Sequence, residues 1–454
     1  MSGGCRRDSK HGFEFQHREK FVSLFCRVVA ALLVIPFAAE AAPIAFVNVN
    51  VVPMDQPRVL NHQTVLIDGN VIARLGPVRE VTVPKGATRI DGNGTAYLLP
   101  GLADMHVHIW EADDAALYVI NGVTTALHMG GEPVGGIRHV KQIIDSGTIV
   151  APRGFFAFRL DDEFGFVTGT PERARNAVDL AYANGYDFIK VYNNLSAGEF
   201  AAIVSEARKD GMAVVGHGVR SVGLPKALFE GQIMVAHAEE FYYTAFENRT
   251  DTARIPQIVA DTLRSGAYVT PNLSAFEAIT KEWGHPEQVA EWLRDDRAQF
   301  MTPAVRTRWI NDRRTREQGD LRPVLSFLRV FTRALQDAGV PLLTGTDSPG
   351  AAGVFPGYAI HDELRTLVEA GLTPFQALTA ATRTPGEFIH KAMPQAQRFG
   401  IVAEGYRADL VLVAGDPLQD LQVMKRPRGV MLSGRWFPAD ELVALEQERK
   451  RKYQ

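Results

Sequence analysis

Two histidines one residue apart, His106 and His108, end the stretch LLPGLADMHVHIW at residues 98–110. The apolar residues before them predict a β-strand, and residues i and i+2 of a strand point to the same face. Both imidazoles would therefore project together from one strand end. Imidazole is a common ligand of Zn²⁺ and similar divalent ions. The pair thus predicts the beginning of a metal site.

Four more residues with chemically useful side chains lie near the ends of other short apolar segments. They are Lys190 in DFIKVY, His217 in MAVVGHG, His237 in QIMVAHAEE and Asp347 in VPLLTGTDS. A single histidine near a strand end is more often a hydrogen-bonded structural residue than a ligand. Four histidines and one aspartate that meet at one place suit a metal ion better than any one of them does. The set predicts a metal site, provided that the fold brings these strand ends together.

Lys190 needs a separate argument because an ammonium group cannot bind a cation. The apolar context of DFIKVY would also make a buried charge costly. A neutral lysine amine can instead take up carbon dioxide to give a carbamate, whose two oxygens could bridge two metal ions. The alternative is a lysine that is paired with a nearby acid.

Short apolar segments alternate with helical stretches between about residues 98 and 390. Eight such segments predict the strands of an α/β fold of the (β/α)₈ type, a TIM barrel. The active site of that fold lies at the carboxyl ends of its strands, where the candidate ligands fall. The predicted strands span residues 102–109, 123–130, 149–158, 187–192, 212–218, 232–240, 266–274 and 340–348.

The two ends of the chain predict a second, smaller unit. We expect residues 42–97 and 396–454 to combine in a small β-sandwich beside a barrel domain of residues 98–395. Asp68-Gly69-Asn70 predicts a hairpin turn, and a charged helix over 439–452 closes the chain. The strand-like segments of this unit are residues 44–52, 63–76, 88–99, 400–415 and 429–437.

Two helical regions near the end of the barrel have distinctive sequences. A polar helical insertion over residues 279–325 contains Trp283, Trp292 and Trp309 among many charges. It predicts a lid, an interface, or a surface excursion that its tryptophans pack down. Thr373-Pro374-Phe375-Gln376 resembles a capping box and predicts the start of a helix over 374–392.

The first 41 residues differ in composition from the rest of the chain. Basic residues precede the apolar run VVAALLVIPFAA at 28–39, which ends in small residues. This pattern predicts a signal peptide cut near Ala41, and hence a periplasmic or secreted protein. A stable membrane anchor is not expected, because Arg27 interrupts the run before it reaches the roughly 20 apolar residues that span a bilayer.

Cysteine usage and net charge exclude several classes of site and partner. Cys5 and Cys26 both lie in the segment expected to be removed, so any metal must be held by histidines and carboxylates. The net charge of −3 does not indicate a nucleic-acid partner.

Together these motifs resemble the amidohydrolase superfamily, in the branch of imidazolonepropionase-like proteins and Xaa-Pro dipeptidases. The resemblance covers nearly the whole mature chain, and the HxH pair combined with the downstream lysine, histidines and aspartate is its most specific part. The matching pieces are PGLADMHVH, GVTT at 122–125, FIKVY, VVGHG, MVAHAEE, LLTGTDS and G-x-x-A-E-G-x-x-A-D-L-V-L at 400–412.

The resemblance implies two divalent metal ions, with Zn²⁺ the first expectation and Mn²⁺, Co²⁺ or Fe²⁺ also suited. It implies that one ion is more buried and the other more exposed, and that carboxylated Lys190 and a hydroxide bridge them. The implied ligands are His106, His108 and Asp347 for the buried ion, and His217 and His237 for the exposed one.

The expected activity is hydrolysis of an amide bond in a peptide or an N-acyl amino acid. Two close metals lower the pKa of a bridging water and polarise the scissile carbonyl. Asp347 would then accept a proton from that water and pass it to the leaving nitrogen. The expected partner is a small-molecule or dipeptide substrate, and the sequence is also compatible with a homo-oligomer.

Three residues are candidates for substrate binding, each with a structural alternative. Relatives often carry Arg-Asp after the GVTT stretch, whereas Leu127-His128 follows here, so His128 is either a substrate contact or a packed core residue. Tyr192 should face the same side as Lys190 and bind a carbonyl or carboxylate, unless it packs the barrel. Arg220 could pair with a substrate carboxylate, although loop arginines are more often solvated.

The same residues are compatible with several other functions. Glu239 and Glu240 could accept a substrate amine or orient His237, or be exposed. A lactone, carbamate or phosphotriester hydrolase could use the same metal pair. A mononuclear deaminase or imidazolone-type ring hydrolase would have an acid close after His217 and no lysine on the fourth strand. A non-catalytic scaffold would lack ligands, and none of the expected six is missing.

Overall fold

The computed structural model describes residues 42–130, 134–163 and 166–453. The predicted signal peptide of residues 1–41 lies outside the described residues. The chain first forms five strands, and a two-residue turn after Asp68 connects the second of them to the third. Gly69 in that turn has a positive φ of 56°, which glycine adopts without steric cost. The strands are β1 (Ile44–Val51), β2 (Leu60–Asp68), β3 (Val71–Pro77), β4 (Thr88–Asp91) and β5 (Tyr97–Pro100).

A ring of parallel strands follows and confirms the predicted TIM-barrel class. Within the described residues seven strands pair in chain order, and the two-residue β9 (Phe166–Val167) adds to the edge of one of them. The barrel strands are β6 (Leu102–Val107), β7 (Val123–His128), β8 (Arg153–Asp161), β10 (Phe188–Val191), β11 (Ala213–Gly216), β12 (Gln232–Ala236) and β13 (Tyr268–Thr270).

The eighth predicted strand, residues 340–348, closes the ring without forming a continuous ladder. It makes two isolated parallel bridges, from Leu342 to Val269 and from Ser348 to Val107. The ladder is interrupted because Asp347 has a left-handed φ of 57°. Gly345 also has to be small, since a Cβ there would lie 2.3 Å from Thr270 Cγ2.

The terminal segments of the chain complete the first sheet, as the sequence predicts. β14 (Leu410–Val413), β15 (Gly429–Leu432) and β16 (Arg435–Pro438) continue it antiparallel from β5, in the order β16-β15-β14-β5-β1-β2-β3. β4 pairs with β1. One face of this sheet buries a core of its own, to which Phe46, Val65 and Leu410 contribute.

Helices connect the strands and cover the barrel. The predicted helix over 374–392 is divided in two at Ala381 and Thr382, and its start has the predicted capping box, in which Thr373 and Gln376 bond to each other's backbone N–H. The helices are α1 (Ala115–Ile120), α2 (Val134–Asp145), α3 (Pro171–Ala183), α4 (Ala197–Lys209), α5 (Leu224–Glu230), α6 (Glu239–Thr244), α7 (Ile255–Ser265), α8 (Leu273–Glu282), α9 (Pro286–Trp292), α10 (Pro303–Ile310), α11 (Arg322–Asp337), α12 (Ala359–Glu369), α13 (Pro374–Ala380), α14 (Arg383–Ala392) and α15 (Ala439–Tyr453). No helix in the described part of the chain is long and apolar enough to cross a membrane.

The insertion over residues 279–325 is helical and lies against the loop that follows Asp347. Trp309 is buried, packs edge-on against Phe355 with ring centroids 5.1 Å apart, and donates its indole N–H to the Pro349 carbonyl at 3.1 Å. The insertion is therefore placed beside the carboxyl ends of the barrel strands.

Candidate metal centre

The structure brings all six predicted ligands together at the carboxyl ends of the barrel strands. They surround one polar cavity of about 130 Å³, which all of them line except His106. His106 is fully buried and adjoins the others. The six are His106 on β6, His108 directly after it, Lys190 on β10, His217 directly after β11, His237 directly after β12, and Asp347 in the segment that closes the barrel.

His106, His108 and Asp347 form the tightest part of this group. Asp347 Oδ1 lies 2.8 Å from His108 Nε2 and 3.2 Å from His106 Nε2. Ligand atoms of all three residues lie within 4.8 Å of one another. Burial alone would raise the pKa of Asp347, but the two imidazoles beside it hold that pKa well below its usual range. The carboxylate is therefore ionised and available to a cation.

The second pair of histidines has ring nitrogens that are free for a ligand. His217 Nδ1 lies 2.9 Å from Glu240 Oε1 and 3.1 Å from Asn193 Oδ1, so it carries the proton and leaves Nε2 as the electron-pair donor. Glu240 thus orients His217 rather than His237, whose nearest carboxylate is Glu239 at 3.5 Å. Burial lowers the pKa of His237 to about 3, which keeps its imidazole in the neutral form that binds metal.

His108 is held in the same way. Its Nδ1 donates a hydrogen bond to the Gly130 carbonyl, which leaves Nε2 to face Asp347. Burial also lowers the pKa of His108. A backbone acceptor on one ring nitrogen and a free electron pair on the other is the arrangement of a metal-ligating histidine.

Lys190 is buried and has no carboxylate partner in the described part of the chain. It is 1% exposed, its Nζ lies 3.3 Å from His106 Nε2, and none of the salt bridges among the described residues involves it. Burial is the main cause that lowers the pKa of Lys190 to about 7; Asp347 opposes this shift and the nearby Arg159 adds to it. The alternative of a lysine paired with an acid therefore finds no support in these contacts.

These residues fit divalent metal ions. The donors are neutral imidazoles, an ionised carboxylate and a lysine whose amine is close to neutral, which is a set that Zn²⁺ and related ions accept. Within the described part of the chain, His106 Nδ1 and His237 Nδ1 are buried without a hydrogen-bond partner. Burial of these two unsatisfied ring nitrogens among the candidate ligands is costly unless a ligand binds there.

The structure places the three predicted substrate contacts in three different environments. Tyr192 lines the cavity and lies over His217, with ring centroids 3.9 Å apart. Arg220 has an exposed side chain and does not line the cavity. His128 does not line it either, because its Nε2 donates to the Ile109 carbonyl at 3.1 Å and its Nδ1 accepts from Gly130 N–H at 3.0 Å. The geometry of His128 favours the packed core role.

Several residues that line the cavity were not among the predicted ones. They are Trp110, Arg159, Arg308, Arg314 and Gly350. Arg159 could have been found from the sequence, because it follows the predicted end of the third barrel strand by one residue. In the structure it lies on β8 and pairs in register with Lys190. Arg308 and Arg314 come from the helical insertion, and no local pattern placed that insertion at the site.

Comparison with known proteins identifies the family. The sequence pattern of the "Amidohydrolase family" matches residues 97–437. Ochratoxinase of Aspergillus niger is 35% identical over 106 residues, which are 23% of this chain and 20% of that protein. The chain therefore matches about a fifth of the length of this curated relative.

Solved structures with the same fold cover most of the chain. Bottromycin amidohydrolase has a TM-score of 0.70 at 24% identity over 90% of both chains. A Xaa-Pro dipeptidase with bound methionine has a TM-score of 0.65 at 21% identity, over 87% of this chain and all (100%) of that one. Likenesses at this level of identity show the fold. The family match covers most of the sequence. It shows that the chain belongs to the amidohydrolase family, the hydrolases that its motifs resemble.

Proposed function

We propose that this protein is a hydrolase with two metal ions that cleaves an amide bond in a peptide or an N-acylated amino acid. The observation that carries the proposal is Lys190, which is buried beside His106 among neutral imidazoles and has no carboxylate partner within the ranges that the structure describes. A lysine in that position is explained if its amine is converted into a metal ligand. The family membership and the dipeptidase among the structural neighbours support amide cleavage.

The two ions would be held by two sets of residues that share Lys190. His106, His108 and Asp347 form one set, because their ligand atoms already converge. His217 and His237 form the other, with ring centroids 4.8 Å apart. We propose Zn²⁺ as the ion, with Mn²⁺, Co²⁺ and Fe²⁺ suited to the same donors. When bound, such a pair supplies an acidified water and a polarised scissile carbonyl.

Lys190 would bridge the two sets as a carbamate. Its neutral amine attacks the carbon of carbon dioxide, a nitrogen–carbon bond forms, and one amine proton is released to water. The product is an anion with two oxygen ligands. Burial favours this reaction because it lowers the pKa of the Lys190 amine to about 7, so that much of it is uncharged near neutral pH.

Asp347 is the residue that we propose moves the proton. Its carboxylate lines the cavity and is ionised before the reaction, since its pKa lies well below the usual range. It can accept a proton from the attacking water and return it to the leaving nitrogen. Tyr192 stays protonated, because burial raises its pKa to about 12, and its hydroxyl can donate a hydrogen bond to the substrate.

The test is the metal content per chain of the purified protein, prepared with bicarbonate and zinc. We expect two ions in the parent and fewer in Lys190→Ala. Lys209→Ala is the matched control, because Lys209 is exposed on α4, pairs with Glu206 and does not line the cavity. We also expect the parent to hydrolyse members of an amide panel and Asp347→Asn to lose that activity.

Two results would contradict the proposal. One ion per chain that is unaffected by loss of Lys190 would remove the bridged pair and favour the mononuclear deaminase. Equal activity of the parent and Asp347→Asn would show that Asp347 does not transfer the proton.

A further inference from the structure

The cavity beside the candidate ligands carries more positive charge than its own acids balance. Three arginines line it: Arg159, Arg308 and Arg314. Arg314 is balanced, because its guanidinium lies 2.6 Å from Glu282 and 3.1 Å from Asp312. Arg159 and Arg308 are different, since neither takes part in a salt bridge with any residue that the structure describes. Each therefore lacks a counter-ion among the described residues, at a place where a substrate would bind.

Arg159 lies on the wall of the barrel. It is the register partner of Lys190 on the neighbouring strand, and its guanidinium lies 5.2 Å from the centre of the Tyr192 ring. Its Nε is buried and has no hydrogen-bond partner among the described residues. A buried guanidinium nitrogen without an acceptor is costly, so this position calls for an anionic partner.

Arg308 lies on the outer side of the same cavity. It belongs to α10 of the insertion, its side chain is exposed, and its guanidinium lies 4.2 Å from the centre of the Trp110 ring. This stacking holds the guanidinium at the cavity while leaving its N–H groups free. Because Arg159 is partly buried and Arg308 is exposed, the two cations lie at different depths. One carboxylate is not expected to satisfy both.

We propose that the substrate carries two acidic groups, as an N-acylated aspartate or glutamate does, or a dipeptide with such a residue. This inference deepens the proposed amide hydrolysis and rests on it for the bond that is cleaved. Arg159 binds the carboxylate closer to the reacting amide, and Arg308 binds the second, outer one. Each is a charge-assisted contact of the kind for which the planar guanidinium is suited.

Binding and hydrolysis are measured with a matched pair of probes, N-acetylglutamate and N-acetylglutamine. The two have the same size and differ by one carboxylate. The value of kcat/KM is measured on the zinc-loaded parent, and calorimetry on the same protein measures the affinity for any probe that it does not hydrolyse. We expect the glutamate probe to be preferred by about ten- to a hundredfold, which is the range of one hydrogen bond to a charged group.

Substitutions assign the two arginines. In the zinc-loaded protein, Arg308→Gln should remove the preference for glutamate while leaving the glutamine probe unchanged, and Arg159→Gln should weaken both probes. Arg313→Gln is the control, because Arg313 is exposed on the same insertion and does not line the cavity. Circular dichroism establishes that each variant folds.

The outcomes separate the inference from the function on which it rests. Hydrolysis of both probes without a preference overturns the inference that the substrate carries a second acidic group, and it leaves the proposal of amide cleavage intact. Preferential binding of the glutamate probe without hydrolysis supports the two-acid site and counts against amide cleavage. An unchanged preference in Arg308→Gln, or no binding of either probe, overturns the inference.

Discussion

Asp104 ties the loop that carries Asp347 to the strand that carries His106. It is fully buried on β6, where Oδ1 accepts from Thr346 N–H at 3.0 Å and Oδ2 accepts from the Thr346 hydroxyl at 2.7 Å. The Thr346 and Ser348 hydroxyl oxygens lie 2.9 Å apart, so both neighbours of Asp347 belong to one hydrogen-bonded unit. We predict that this unit keeps Asp347 pointed at the candidate ligands, and that Asp104→Ala weakens zinc binding.

The structure sets the size of the expected effect. Asp104→Ala removes the two hydrogen bonds that the carboxylate accepts from Thr346, each worth about 1.5–3 kcal/mol, so the loop loses about 3–6 kcal/mol of local stabilisation. Asp347 also lies in the left-handed region at φ 57°, which costs a non-glycine residue about 1–2 kcal/mol. The hydrogen-bonded unit must offset this cost. Loss of such supporting partners typically lowers metal affinity by about 10–100-fold.

Zinc competition with a chromophoric chelator at pH 8 measures this effect. Asp104→Asn should keep most of the affinity, because its amide oxygen still accepts from Thr346 N–H while its NH₂ donates to the Thr346 hydroxyl. Asp179→Ala, on the exposed side of α3, is the control for mutation of an aspartate. The reasoning is refuted if Asp104→Ala binds zinc as tightly as the parent. It is also refuted if Asp104→Asn loses as much zinc affinity as Asp104→Ala, since the hydrogen bonds to Thr346 would then not be the cause.

Two further predictions concern buried glutamates. Glu240→Ala should lower zinc affinity by about 10–100-fold, because Glu240 Oε1 lies 2.9 Å from His217 Nδ1; unchanged competition with the chelator would show that Asn193 suffices to hold the ring. Burial raises the pKa of Glu363 from 4.5 to about 7, so the native state binds this proton more tightly than the unfolded chain does and the unfolding free energy of the parent falls as pH rises through that window. Glu363→Gln has no carboxyl group to titrate there, so its unfolding free energy relative to that of the parent should rise by about 2–3 kcal/mol between pH 5 and pH 8, measured by urea unfolding. Parallel pH profiles of the two proteins would contradict the raised pKa of Glu363.

Much of the fold follows from local patterns in the sequence. The barrel strands could be predicted because short apolar segments alternate with helical ones, and the HxH pair because residues i and i+2 share a face of a strand. Residues 340–348 differ from the prediction of a full strand. The close approach at Gly345 and the left-handed Asp347 leave two isolated bridges there, and neither feature is visible in an apolar pattern.

The meeting of the six candidate ligands could also be predicted, because parallel barrel strands bring their carboxyl ends to one rim. Their role as metal ligands stays a prediction. The partner of each was less accessible to sequence reasoning. Glu240 lies three residues after His237 in the chain, yet it contacts His217. Helix α6 turns the Glu240 side chain toward the neighbouring strand end.

The sequence by itself determined the family, the barrel and the residues that gather at its rim, because these depend on periodicity and on motifs of a few residues. Only the tertiary structure decided which other side chains border the cavity. It placed Arg159 and Arg308 there, and it left Arg220 exposed and His128 bonded within the core. The physical reason is that loops and insertions take their positions from packing against distant segments. That packing brings residues of the insertion, far along the chain from the HxH strand, to the same cavity.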